Sequence, residues 1–184
     1  MSLRIYGNRL LKTLPGLETR PTPAKVREAI FNTWQGRVEG CRWLDLCAGS
    51  GAMGAEALCR GAGFVVGIEK HPRACSLIQE NWQKTGRSQF RLLCGDVVQG
   101  LAKLSGEKFD LVYFDPPYQS QLYQPVLEAI ACYHLLAPHG AIAVEHAPNL
   151  PPPPKVLTLQ CDRQKKYGNT TISFYQLVEP VQIN

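Results

Sequence analysis

Four residues, Asp115-Pro116-Pro117-Tyr118, close the apolar run Phe109-Asp110-Leu111-Val112-Tyr113-Phe114. Read as a buried strand, that run ends in a carboxylate, two rigid rings and an aromatic side chain. In open α/β sheets the carboxyl ends of the strands are where ligands bind. Each proline removes a backbone donor and restricts the residue before it, so local carbonyls are left facing outward. Asp115 and the Pro116 carbonyl then make a pair of acceptors suited to the NH2 group of a planar base, with Tyr118 placed to stack on it. An ordinary strand-ending Pro-Pro turn has the same residues, so the rest of the chain must decide.

A second constellation lies upstream. Leu44-Asp45-Leu46-Cys47-Ala48-Gly49-Ser50-Gly51-Ala52-Met53-Gly54 reads as a strand entering a glycine-rich turn and a helix. Gly49, Gly51 and Gly54 satisfy G-x-G-x-x-G, and Glu69 ends the next strand near the spacing that binds a ribose hydroxyl. By spacing alone this is the fingerprint of an NAD-dependent oxidoreductase. Asp45 argues against it, because a carboxylate just before the loop repels a pyrophosphate and attracts the ammonium of S-adenosylmethionine. Ala48, Gly49, Ser50 and Gly51 then offer backbone N–H groups to the cofactor's carboxylate, Glu69 takes the ribose diol, and Asp96, beside Val97, accepts from the adenine amino group. Each acid also has an ordinary role open to it: Asp45 as a turn cap, Glu69 as a solvated side chain, Asp96 as the N-cap of the following helix. Their joint occurrence at the ends of three successive strands favours a cationic, phosphate-free nucleoside.

The elements that must position these groups alternate. Apolar runs at Trp43–Cys47, Phe64–Ile68, Phe90–Cys94, Leu111–Phe114 and Ala141–Val144 are separated by helical patterns at Ala52–Arg60, Pro72–Lys84, Val97–Leu104 and Gln121–Leu136. This rhythm predicts βαβ units and a parallel sheet covered on both faces. After Pro138 and Gly140 it changes: Lys155–Gln160 and Thr171–Leu177 flank the polar stretch Asp162–Asn169, which predicts a closing hairpin with a polar tip. Ahead of the sheet, Arg4–Leu11 reads as a ribbon around Gly7-Asn8. Thr22 then reads as an N-cap before Pro23, opening a helix with Val26, Ala29, Ile30, Thr33 and Trp34 on its buried face and Lys25, Arg27, Glu28 and Asn32 opposite. The expected organisation is a basic appendage over residues 1–42 packed on a catalytic domain over residues 43–184.

Charge supports that division. Residues 1–42 hold eight basic and three acidic side chains, which accounts for the whole net charge of +5. A basic arm on a neutral body points to an anionic partner, nucleic acid first. Arg4, Arg9, Lys12, Arg20 and Arg27 are its candidate phosphate contacts, joined by Lys165, Lys166 and Tyr167 near the chain's end. The seven cysteines show no paired spacing and the four histidines no metal spacing, so reduced thiols, no metal and a cytoplasmic location are expected. No apolar stretch reaches the ~20 residues of a membrane helix. A monomer is expected.

These motifs resemble the class I methyltransferases that modify exocyclic amines, and more closely the RsmD family, which methylates a guanine N2 in bacterial 16S ribosomal RNA. The likeness includes Arg4-Ile5-Tyr6-Gly7, Thr19-Arg20-Pro21-Thr22, Val26–Asn32, Leu44–Gly51, Glu56–Ala62, Phe114–Tyr118 and Lys166-Tyr167-Gly168. Two departures are Tyr6-Gly7 for the family's Gly-Gly and Cys47-Ala48-Gly49 for its Phe-Ala-Gly. The resemblance implies a Rossmann-like fold with a seven-stranded, mostly parallel sheet whose seventh strand is reversed, and a Thr19–Thr22 segment that helps enclose the cofactor. It implies S-adenosylmethionine as methyl donor, S-adenosylhomocysteine as product and 16S ribosomal RNA or the small ribosomal subunit as partner. Adenine-N6 methylation of DNA and methylation of a protein glutamine use similar acceptor geometry. The absence of an inserted target-recognition domain disfavours the first and the basic arm the second. A non-catalytic RNA-binding module on the same fold is disfavoured by the intact acids and Asp115–Tyr118.

Overall fold

In the computed structural model, which describes residues 2–13 and 22–178, the chain opens with strand β1 (Ser2–Ile5) paired antiparallel to β2 (Arg9–Lys12). The turn between them places Gly7 at φ 72° and Asn8 at φ 62°, a backbone region that glycine and asparagine tolerate best. Helix α1 (Ala24–Thr33) follows. The expectations for Thr19, Arg20 and Pro21 fall outside the described residues.

The alternating runs then form β3 (Arg42–Leu46), α2 (Ala52–Cys59), β4 (Phe64–Glu69), α3 (Pro72–Gln83), β5 (Phe90–Cys94), α4 (Val97–Ala102), β6 (Phe109–Phe114), α5 (Tyr123–Cys132) and β7 (Leu136–His146). Pro72 sits in the first turn of α3, where its missing N–H is no loss. Helix α5 is shorter than the pattern suggests because His134 adopts a left-handed φ of 50° and Leu136 already belongs to β7. The last described elements are β8 (Lys155–Val156), β9 (Leu159–Tyr167) and β10 (Thr170–Leu177).

Apart from the separate β1-β2 ribbon, the strands form one sheet in the order β5-β4-β3-β6-β7-β10-β9-β8. The pairs from β5 to β7 are parallel, and β10 runs antiparallel to both β7 and β9. The implied seven strands with a reversed seventh are therefore present, and the two-residue β8 adds a short eighth. Strand order reverses between β3 and β6, the switch point at which α/β sheets open a ligand cleft. One core layer joins Phe31, Trp34, Met53, Leu58, Ile78 and Trp82 from α1, α2 and α3 to one face of the sheet, and Val97, Leu101, Val126 and Ile130 from α4 and α5 cover the other.

Four expectations need correction. The polar stretch Asp162–Asn169 is mostly strand, not a tip: β9 lies near the sheet's edge with many of its side chains exposed, so its apolar alternation is lost, and only Gly168 and Asn169 turn. Thr22 does not cap α1; Pro23 occupies the N-cap without a side-chain bond, and the Thr22 hydroxyl faces the sheet. Arg27 is buried on α1 beside Val26, not exposed opposite it, because it pairs with buried Glu56 of α2. Cys75 and Cys94, expected as free thiols, are joined as a disulfide with Cα atoms 6.1 Å apart; the first turn of α3 packs on the end of β5 across 19 residues of sequence, a pairing that no local spacing announces.

Candidate active site

The loop after β3 is shaped by its glycines and by one tryptophan. Gly49 and Gly51 take φ of 57° and 72°, and the Gly51 N–H closes on the Ala48 carbonyl at 2.7 Å. A Cβ on Gly51 would stand 2.7 Å from the Trp82 indole nitrogen, and one on Gly54 only 2.3 Å from its ring. Trp82 is fully buried and donates to the Gly51 carbonyl at 2.8 Å. The second and third glycines of the fingerprint thus admit the indole of α3 under the loop. Ser50 is tied from below by Asn81, which donates to its carbonyl at 3.0 Å and also bonds the Lys12 backbone N–H and carbonyl at 2.9 Å each.

Asp45 lies near the end of β3, Glu69 ends β4 and Asp96 follows β5, and all three hold backbone. Asp45, 1% exposed, accepts the Gly54 N–H at 2.9 Å through Oδ2. Burial pushes its carboxyl up to about 8; the Gly54 bond opposes the shift and the Glu69 charge adds to it. Glu69 accepts Gly49 N–H and His71 N–H at 2.8 Å, one on each oxygen. Asp96 is the N-cap of α4, accepting from Val98 and Gln99 at 3.0 and 3.1 Å through Oδ1, and Val97 is buried in the core beneath it. Asp45, Glu69 and Asp96 thus set three carboxyl groups along the carboxyl edge of β3, β4 and β5.

Across the switch point, Asp115 follows β6. Thr22 donates to its Oδ2 at 3.4 Å and lies 3.1 Å from the Tyr113 hydroxyl. Tyr113 donates to Glu145 Oε2 at 2.5 Å, and Tyr118 donates to Glu145 Oε1 at 3.1 Å while lying 2.8 Å from the Thr170 hydroxyl. Pro116 is buried and Pro117 exposed. Burial first, then the charges of Glu145 and Asp45, hold the Asp115 carboxyl well above the usual range, against the opposing Thr22 bond. Tyr118 is pushed up to about 12 by the same burial, partly offset by Thr170. Glu145, Tyr113 and Thr170 were not singled out by the sequence. Their signal was a carboxylate one residue past the apolar run Ala141–Val144, on the strand that neighbours β6.

The basic residues divide. Arg9 donates to the Thr85 carbonyl at 2.5 Å, Lys12 pairs with Glu80, and Arg4 bonds Asn8 at 2.5 Å, all at or near the surface. Arg27 is 3% exposed and bound to Glu56 at 2.5 Å, so it has no charge to offer a phosphate. Lys165 and Lys166 are neighbours on a strand and point to opposite faces of the sheet. Lys165 lies on the α1 face, 3.5 Å from the Thr33 hydroxyl, as does Tyr167, which packs on the α1 core layer. The turn after Tyr167 projects at the same sheet edge as Asp115, because β10 starts opposite His146 at the end of β7.

The profile of a family described as conserved hypothetical protein 95 matches residues 3–176. "Putative rRNA methyltransferase YlbH" of Bacillus subtilis (strain 168) is 32% identical over 171 residues, 91% of this chain and 93% of that one. This chain belongs to the conserved hypothetical protein 95 family. That is the RsmD family whose motifs it resembles: "Ribosomal RNA small subunit methyltransferase D" of Escherichia coli (strain K12) is 29% identical over 162 residues, 88% of this chain and 80% of that one. "Putative methyltransferase yhhF from Escherichia coli" superposes with a TM-score of 0.85 at 28% identity, covering 96% of this chain and 98% of the other. The fold is the Rossmann-like class I methyltransferase fold.

Proposed function

We propose that this protein transfers a methyl group from S-adenosylmethionine to the exocyclic N2 of a guanine in small-subunit ribosomal RNA. The observation that carries the reading is the switch point itself: the acid-backed glycine loop stands on its β3 side, and Asp115-Pro116-Pro117-Tyr118, fixed by Thr22 and Glu145, on its β6 side. The names of the relatives support a ribosomal RNA substrate. When bound, S-adenosylmethionine supplies an electrophilic methyl group on a cationic sulfur. Asp45, Glu69 and Asp96 hold it, with Thr22, Ala48, Gly49, Ser50, Gly51 and Val97 around them.

Guanine N2 is a weak nucleophile because its lone pair is delocalised into the ring, so catalysis is largely positioning. Asp115 and the Pro116 carbonyl accept the two amine hydrogens, orient the lone pair and favour the positive charge that grows on nitrogen. Tyr118, its hydroxyl anchored on Glu145 and Thr170, offers its ring for stacking, worth roughly 1–3 kcal/mol on a single-stranded base. The test is methyl transfer to small-subunit ribosomal RNA, followed by nucleoside mass spectrometry. N2-methylguanosine is expected; label on adenine N6 or in protein glutamine would reassign the substrate.

Asp45 makes cofactor affinity depend on pH. Its folded carboxyl keeps a proton until about pH 8, whereas an unfolded aspartate loses one near ~3.9. The folded state therefore binds more protons in between, and the stability this gives is present at low pH and is lost as pH rises through about 8. A cation beside Asp45 favours its ionised form, so affinity for S-adenosylhomocysteine should rise from pH 6 toward pH 8. Asp45→Asn, which still accepts the Gly54 N–H, should abolish that rise and weaken binding about tenfold, as loss of a charged hydrogen-bond partner does. Wild-type calorimetric titrations from the variant would limit Asp45 to holding the loop.

RNA binding should be steeper in salt with Lys165 than without it. Each phosphate contact on single-stranded RNA contributes ~0.7 to the logarithmic salt slope. Because Lys165 shares the α1 face with Tyr167 while Lys166 points away, Lys165→Ala should flatten the slope by about one contact and Lys166→Ala by none. Equal slopes for both variants would place the RNA elsewhere.

A further inference from the structure

We propose that Thr22, Tyr113 and Glu145 are positioning residues of a proton relay, through which the Asp115 and Glu145 carboxylates act as one base that receives the proton shed by the methylated amine. The purpose assigned to the relay rests on the methyl-transfer reading; its existence does not. Three contacts connect the carboxylates in sequence: Asp115 to Thr22 at 3.4 Å, Thr22 to Tyr113 at 3.1 Å, and Tyr113 to Glu145 at 2.5 Å.

Three links are served by only two hydroxyl hydrogens. With both carboxyls ionised, Thr22 points its hydrogen at Asp115 and Tyr113 at Glu145, which leaves the middle contact bare. One added proton completes the chain, whichever end carries it. On Asp115, the hydrogens run from Asp115 to Thr22, Thr22 to Tyr113 and Tyr113 to Glu145; on Glu145 all three run the other way. A shift of three hydrogens interconverts the two arrangements without moving a heavy atom. In the reaction, nitrogen forms its bond to carbon, the carbon–sulfur bond breaks with its electrons on sulfur, and the proton left on nitrogen passes to Asp115. The chain then distributes it toward Glu145, and the pair's combined charge falls from two to one.

The surroundings favour such sharing. Tyr118 donates to the other Glu145 oxygen at 3.1 Å, and Tyr123 to the Glu145 backbone carbonyl at 3.3 Å. Asp45 and Cys47 approach from the end of β3, His146 follows Glu145 on β7, and Arg27 donates to the Thr22 carbonyl at 3.4 Å from α1. The Asp45 charge acts on Asp115 in the same direction as Glu145. The buried Glu145 charge raises the half-buried Asp115 carboxyl, and like charges acting on one another in this way disfavour joint ionisation.

Two measurements decide the matter. In infrared difference spectra of the full protein alone, without RNA or cofactor, a protonated-carboxyl band should titrate, and both Glu145→Gln and Asp115→Asn should remove or displace it. In single-turnover methylation, Glu145→Gln should move the acid limb of the pH profile down by about one unit or more, since a like charge has left Asp115. Thr22→Val should slow transfer about tenfold or more, and Thr22→Ser, which restores the hydroxyl, should recover it to within about twofold, as befits a general acid–base contribution. A structural role alone would lower the rate without moving the limb. A Glu145→Gln protein with wild-type infrared titration and an unmoved acid limb would overturn the relay. If the wild type methylates no RNA, the functional reading fails and the infrared result still decides whether the two carboxyls share a proton.

Discussion

Asp115→Ala is expected to lower single-turnover methyl transfer by about a hundredfold or more, the usual loss when an oriented group facing developing charge is removed. The cofactor's affinity should change less than about threefold, because Asp45, Glu69 and Asp96 stand on other strands. Asp115 is aimed by its backbone N–H on the Leu46 carbonyl at 3.3 Å and by Thr22 at 3.4 Å. Asp115→Asn keeps an acceptor oxygen and the Thr22 bond, so an intermediate rate is expected. Rapid-quench measurement with saturating cofactor separates this from binding. Wild-type transfer by the alanine variant would reduce Asp115 to a turn residue.

The largest stability effect should come from Arg27→Ala. Arg27 binds Glu56 at 2.5 Å, with side chains 3% and 2% exposed, and its other nitrogens reach the Arg4 carbonyl at 2.7 Å and the Thr22 carbonyl at 3.4 Å. Breaking a buried pair leaves an uncompensated charge and costs about 3–5 kcal/mol. Arg60 also holds Glu56 at 2.8 Å, which places the loss at the lower end, about 3 kcal/mol, or on the order of 10 °C in melting temperature for a chain this long. Urea unfolding would measure it. The salt slope of RNA binding should stay the same at a temperature where the variant is folded; a flatter slope would restore Arg27 as a phosphate contact.

Arg27 also shows what a sequence can and cannot reveal. Periodicity placed α1 correctly, but a charged residue beside Val26 reads as solvent-facing unless its partner 29 positions away is known. The parallel strands were legible because their runs are mostly apolar, the central ones covered on both faces and β5 at the edge interrupted by exposed Arg91. Strand β9 was not, since at a solvated edge its side chains need not alternate. Asp115 and Glu69 stood out because each follows directly on such a run, Asp45 because it interrupts one, and Asp96 because it comes just after one. Glu145 follows one as well, but its meaning depends on β7 lying beside β6, with Phe114 opposite Val144. Thr22 was legible as a cap and is instead a hydrogen-bond donor to the site, a difference made by tertiary packing on Tyr113.

The docking of the amino-terminal ribbon sets an order of events at the ribosome. Arg9 and Lys12 are held by Thr85 and by Asn81 and Glu80, partners 68 to 76 residues later in the chain. At roughly 5–20 residues per second, the ribbon emerges several seconds before anything exists for it to dock on. A two-stranded hairpin is at best marginally stable alone, so it waits as an open edge until α3 arrives. Its seating on Asn81, which also grips Ser50, would be among the last steps of maturation, and the cofactor loop would reach its final shape only when the ribbon has found its place.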